Sequence, residues 1–182
     1  MSALSNTDAQ ALRRFDFWAC IALAALAFLL YLPNLGATFV YDSKLTVRGN
    51  DYAHHLPHLL DIATLRVMHL DVMDNNRPVY LATIILNWAL CGAHPMGYHL
   101  CNILLHAAVG VLLYRFCRTL LPGVTPWTSF AGTLLYLAHP QECEAVAEIS
   151  YRNELLVAVF SLVALNLAAI FQPVRSRRNC LL

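Results

Sequence analysis

The sequence predicts an all-α polytopic membrane protein of about four transmembrane helices, with membrane-parallel helices in its first outer loop. Three observations carry that fold class. Hydrophobic residues make up 59% of the 182 and charged residues only 13%, with a mean hydropathy of +0.55, against roughly 45–50% and about 25% in an ordinary soluble domain. Long uncharged stretches alternate with short charged ones. The arginines gather in three clusters. A formal charge of +1 leaves no basic excess for phosphates, which excludes a nucleic-acid binder, and the composition excludes a disordered tail or a coiled coil.

The first uncharged stretch runs from Phe17 to Tyr41. Its apolar heart, FWACIALAALAFLLYL, crosses a core of roughly 30 Å with modest flanks. Trp18 and Tyr31 stand near its ends as interface residues do, and Pro33, Asn34 and Gly36 stop it, so it reads as a retained anchor rather than a cleaved signal. A second uncharged stretch, Pro78 to Tyr114, is divided by Gly92, His94, Pro95 and Gly97. Val79 to Cys91 has the length of an interfacial or re-entrant segment, and Met96 to Tyr114 that of a span. Trp127 to Ala138, between Pro126 and Pro140, is a short third span that must tilt little or thin the bilayer. Leu155 to Phe171 is the fourth.

Charge placement fixes the parity. Basic clusters at Arg13 and Arg14, at Arg115 and Arg118, and at Arg175, Arg177 and Arg178 all belong on the cytoplasmic side, which four spans satisfy and five do not. The expected membrane domain is therefore 15–172, with spans at about 17–34, 95–114, 125–139 and 155–172. The tails 1–14 and 173–182 are cytoplasmic, and the loops 36–94 and 140–154 lie outside. Nine acids, from Asp42 to Glu154, fall on the outer side. Their avoidance of hydrocarbon accounts for most of that placement.

Six cysteines show neither a Cys-x-x-Cys pair nor a zinc spacing, so no disulfide framework is expected; Cys91 and Cys143 are left as free thiols or an outer pair. His54, His55 and His58 form HHLPH, read either as metal ligands or as solvated loop imidazoles, with no second ligand cluster to favour a metal. His99 and His106, seven residues apart in the second span, line up as one polar face. There is no N-glycosylation sequon, no prenylation box and no repeat period.

Three segments carry more information together than any does alone: FVYDS at Phe39 to Ser43, NRPVYLATIILNWALCGAHPMGYHLCNILLHA at Asn76 to Ala107, and AHPQECEAVAEISYRNELLVAVFSLVAL at Ala138 to Leu165. They resemble the amino-terminal membrane domain of the transmembrane and tetratricopeptide-repeat O-mannosyltransferases and their bacterial relatives, in the C-type, polyprenyl-phosphate-sugar-dependent glycosyltransferase superfamily. The resemblance covers roughly Pro33 to Phe171. It implies a partial C-type fold, a polyprenyl-phosphate sugar as donor and a protein or other acceptor on the luminal or periplasmic side. The membrane would be that of the endoplasmic reticulum or a bacterial inner membrane. The superfamily's catalytic acid falls at Asp42; where the family usually shows two adjacent acids, this chain has Asp42 followed by Ser43.

An acid suits the chemistry, because the attacking hydroxyl must lose a proton and the leaving phosphate gains charge. Asp42 is expected to act as base or, with a divalent cation such as Mn or Mg, as an anchor for the phosphate. Arg77, His139, Glu144, Arg152 and Glu154 are the expected substrate and lipid-phosphate residues, Arg offering a fixed fork of donors to phosphate oxygens. For Glu144, Glu148 and Arg152 a second reading stands beside this one, an i,i+4 ladder along one helix. Pro78 suits the first position of a helix opened by Arg77, and Tyr80 and Trp88 on that helix read as interface anchors. The function expected is the amino-terminal part of a glycosyltransferase, truncated or completed by a partner chain, with a noncatalytic membrane scaffold on the same fold as the alternative.

Overall fold

The computed structural model describes residues 6–121 and 123–171, and these are helical with no strand. Tail 173–182, with its three arginines and Cys180, lies outside the described residues, as does the start of tail 1–14. Helix α1 is Asn6–Tyr31, about 39 Å at 1.5 Å per residue. It begins earlier than its apolar run because Arg13, Arg14 and Asp16 are compatible with helix and Asp8 complements the amino-terminal dipole. Pro33 then tightens the chain into a 3₁₀ turn, Leu32–Gly36. The segment from Ala37 to Arg77 is a series of short turns and one short helix, α2, Leu59–Ala63. Helix α3, Pro78–Cys91, opens on a proline that needs no amide partner and ends at Gly92, whose φ of +54° only glycine adopts freely. Helix α4 is Pro95–Leu120. Helix α5, Pro126–Leu137, is capped by the Thr125 hydroxyl, which accepts from the Thr128 amide at 3.2 Å. Helix α6, Glu142–Ala147, is separated by a break at Glu148 and a 3₁₀ turn, Ile149–Tyr151, from helix α7, Arg152–Phe171.

Among the described residues three segments are long and apolar enough to cross a membrane: Thr7–Gly36, Pro95–Leu120 and Ile149–Phe171. They contain the spans expected at 17–34 and 95–114 and the described part, to Phe171, of the one expected at 155–172. The expected span 125–139 is the twelve-residue α5, about 18 Å long, and α3 has the 14-residue length of the interfacial segment foreseen there.

The chain divides into two compact units. One comprises the described parts of Met1–Leu30, His106–Pro140 and Ala158–Leu182. In it Ala19, Leu23 and Ala27, on one face of α1, are buried in a core with Ala107 and Tyr114 of α4 and Leu137 of α5. A Cβ on Gly110 would lie 2.8 Å from the Leu137 methyl groups, so the glycine lets the end of α5 close on α4. The buried His106 Nε2 meets the Leu137 carbonyl at 3.2 Å, occupying an acceptor that the helix end leaves open.

The second unit, Tyr31–Leu105 with Gln141–Val157, is built on Phe39, Val47, Tyr80, Leu81, Ile84, Ile85, Tyr98 and Ile149. Two expectations are corrected here. Two of the HHLPH histidines are packed rather than solvated: His54 stacks on Trp88 at 3.5 Å and meets the Val47 carbonyl at 2.8 Å, and His58 stacks on Tyr52 at 3.9 Å, while His55 is exposed. Tyr80 and Trp88 are consequently core residues of this unit, not interface anchors. His99 and His106, seven residues apart on α4, are both buried.

Candidate functional site

The second unit holds a cleft of about 530 Å³ lined by Val40, Tyr41, Asp42, Glu144, Ala147, Glu148, Ser150 and Tyr151. It brings together two of the expected site residues, Asp42 and Glu144, which are 102 positions apart in the chain. The corner that presents Asp42 is made locally. The Ser43 hydroxyl accepts from the Val40 amide at 2.9 Å and donates to the Val40 carbonyl, and Tyr41 sits at φ +43°. A non-glycine residue held at positive φ is strained, and such strain concentrates at functional corners. Ser43 is only 1% exposed. Position 43 is thus committed to the turn, and a second acid there would be buried in place of a hydroxyl that both donates and accepts.

The acid that does respond to Asp42 comes from elsewhere. Asp74, also at positive φ, has an Oδ2 that is buried without a hydrogen-bond partner, while its Oδ1 lies 3.9 Å from Arg77 Nη1. Burial raises the Asp74 carboxyl above its ordinary value; Arg77 opposes that rise and the charge of Asp42 adds to it. Arg77, half exposed, thus faces Asp74 and is not among the residues that line the cleft. Sequence reasoning passed over Asp74, although Asp-Asn-Asn before Arg-Pro is a turn signature that places its residue three positions from Arg77.

Glu148 enters the cleft at the helix break. Its Oε1 accepts from the Ser150 amide at 3.4 Å and hydroxyl at 3.0 Å, which starts the 3₁₀ turn. This break overturns the ladder reading, because Glu144 lies on α6, Glu148 is the extended residue between elements and Arg152 begins α7. Arg152 is fully buried. Its Nε donates to Asn102 Oδ1 at 2.7 Å, Nη1 to Asn87 Oδ1 at 2.7 Å and Thr83 Oγ1 at 3.1 Å, and Nη2 to the Tyr98 carbonyl at 3.0 Å. Asn102 Nδ2 in turn reaches the carbonyls of Val146 at 3.2 Å and Glu148 at 3.4 Å. The guanidinium faces protein acceptors and does not line the cleft; it fastens the cleft wall to α3 and α4. Glu154 is exposed, accepts from Asn153 and is not among the lining residues, and His139 belongs to the other unit.

The cleft thus offers three carboxylates, two tyrosines and no lining cation. Among the described residues no group of three or more His, Cys, Asp or Glu side chains is placed to hold a metal ion. The five described cysteines are free thiols. Carboxylates and aromatic rings at one opening suit a neutral polyhydroxyl or hydroxyl-bearing ligand, whose hydroxyls donate to the carboxylates and whose apolar faces pack on the rings.

The chain is 37% identical over 147 residues, 78% of its length, to "Protein O-mannosyl-transferase TMTC2" of Mus musculus, of which it covers 17%. It is 33% identical over 157 residues to "Protein O-mannosyl-transferase Tmtc1" of Drosophila melanogaster, covering 82% of this chain and 18% of that protein. To "Protein O-mannosyl-transferase TMTC4" of Homo sapiens it is 28% identical over 170 residues, 81% of this chain and 22% of the relative. The chain spans about a fifth of the length of the curated relatives it matches. No family model and no solved structure matches it.

Proposed function

We propose that this chain is the amino-terminal membrane region of a protein O-mannosyl-transferase of the TMTC type, and that the Asp42 cleft is where an acceptor hydroxyl is activated. The observation that carries this reading is the meeting of Asp42 and Glu144 in one cleft of a chain that resembles O-mannosyl-transferases over most of its length. In the reaction, Asp42 takes the proton of an acceptor hydroxyl as its oxygen bonds to the anomeric carbon of a mannose. The bond from that carbon to the phosphate of a polyprenyl carrier breaks, and the electron pair leaves with the phosphate. Arg77 is the cation disposed to meet that charge, through bidentate donors.

The same reading carries a topology with it. Asp42 follows α1 and Glu144 follows α5, and their shared cleft supports both loops lying on one membrane face, the luminal one. Helix α4 carries the chain about 39 Å from that face, so the return runs through 125–139, where a short helix requires local thinning of the bilayer. Both termini are then cytoplasmic.

The test is transfer of labelled mannose from a polyprenyl-phosphate donor in membranes holding the intact chain. Transfer above empty membranes, abolished by Asp42→Asn and retained by Asp51→Asn, whose side chain is 98% exposed outside the cleft, is the expected result. Absence of transfer with inserted, folded protein would overturn the reading of this chain as sufficient for catalysis and leave a fragment, a subunit awaiting its partner, or the noncatalytic scaffold to which the missing second acid at Ser43 points.

A further inference from the structure

The first unit contains a second cavity, about 470 Å³, between α1 and α4 and remote in sequence from every residue assigned above. Its lining is sorted by chemistry. Phe17, Cys20 and Val111 supply an apolar wall, and Asp16, Tyr114, Arg115, Arg118 and Thr119 supply the polar end. Residues 111, 114, 115 and 118 fall on one face of α4, so the sorting follows from helical spacing.

The charges at the polar end do not cancel. Asp16 Oδ1 accepts from the Tyr114 hydroxyl at 2.6 Å and from Arg118 Nε at 3.0 Å, and Arg118 Nη1 goes on to the Val124 carbonyl at 3.3 Å. The one acid is thus neutralised by one arginine. Arg115 is exposed and makes no ion pair among the described residues. A net single positive charge stands at the cavity mouth, one turn from an apolar wall.

Both walls belong to segments long and apolar enough to cross a membrane, and the cavity lies where their uncharged runs end, at Phe17 and Tyr114. Phe17 and Trp18, 61% and 64% exposed, mark the same level on α1, as interfacial aromatics do. We propose that this cavity holds an anionic phospholipid, its phosphate against Arg115 and the first methylenes of an acyl chain against Phe17, Cys20 and Val111. A basic pocket between helices at a membrane surface is suited to that head group. A free phosphate would gain nothing from the apolar wall, which selects the lipid as source. The inference depends on the helices spanning a bilayer and is independent of any role for Asp42.

The experiment is native mass spectrometry of the detergent-solubilised chain with phosphatidylserine, with phosphatidylcholine and with inorganic phosphate. Phosphatidylserine is expected to be retained preferentially. Arg115→Gln, which breaks no ion pair, should lower that retention about fivefold, while Arg13→Gln, a basic residue outside the cavity lining, should leave it unchanged. Equal retention of the two lipids, retention of inorganic phosphate alone, or an undiminished preference in Arg115→Gln would each overturn the proposal. Unchanged thermal unfolding of Arg115→Gln separates loss of the lipid from loss of the fold.

Discussion

Replacing Arg152 by lysine tests whether this residue is a fastener or a phosphate ligand. The guanidinium is fully buried and spreads four donations over Asn102, Asn87, Thr83 and the Tyr98 carbonyl, with its carbon 5.9 Å from the centroid of the Tyr98 ring. Lysine keeps the charge but offers a single ammonium on a stem without the planar fork, so it cannot meet both asparagines and the carbonyl together. Losing two charge-assisted bonds at about 1.5 kcal/mol each lowers stability by about 3 kcal/mol. The assay is chemical or thermal unfolding of the Arg152→Lys protein in detergent, with secondary structure checked before melting. A variant within about 0.5 kcal/mol of the parent would refute the fastening argument. Lysine serves as a phosphate ligand in many sites, so a stable variant that kept transfer activity would return Arg152 to the substrate.

Three further outcomes follow from the cleft. Because the folded-state carboxyl of Asp74 is raised, the folded protein binds more protons there than the unfolded one, and stability falls as pH rises from about 4 through the raised value; Asp74→Asn should flatten that slope and stabilise the protein at neutral pH in unfolding curves taken across pH 4–7. Ser43→Asp restores the paired acids of the related sequences on paper but buries a carboxylate in the turn, so a loss of about 1–3 kcal/mol and no gain in mannose transfer are expected; increased transfer would show that position 43 turns to the cleft. Asp42→Asn should leave the unfolding midpoint within about 0.5 kcal/mol of the parent while abolishing transfer, a separation that thermal melts and the donor assay read on the same preparation.

Much of the fold was legible because hydrophobic length and charge placement are local signals. α1, α4 and α7 were visible as uncharged runs, and Pro33, Pro78, Pro95 and Pro126 marked where elements start or stop. The packing of the segment from Ala37 to Arg77 was not legible. His54 on Trp88 and His58 on Tyr52 depend on register between turns far too short to announce themselves by periodicity. The helix break at Glu148 escaped notice for a related reason: Glu144, Glu148 and Arg152 are all compatible with helix, and only tertiary demand draws Arg152 inward and turns the Glu148 carboxylate onto Ser150. Asp42 and Glu144 were legible as acids of segments between the apolar runs, whereas the electrostatic tie from Asp42 to Asp74 rests on a left-handed residue that an aspartate sequence position does not declare.

The buried cation and the open cleft are two ends of one construction. Arg152 begins α7 directly after Ser150 and Tyr151, which line the cleft, and its first acceptor, Asn102, holds the carbonyls of Val146 and Glu148 on the cleft's other edge. An arginine paired with a carboxylate at this place would draw an acid out of the opening; neutral asparagine acceptors satisfy its donors and leave Glu144 and Glu148 available to the cleft. The desolvation of an unpaired guanidinium is costly, and the chain tolerates it where four acceptors from α3 and α4 converge. Removing the fork should therefore loosen the wall that carries Glu148 before it unfolds α7. Under the catalytic reading, Arg152→Lys would then depress transfer by disordering the cleft, and faster amide exchange at Glu148 through Tyr151 than at the middle of α7 would distinguish that route from loss of a substrate contact.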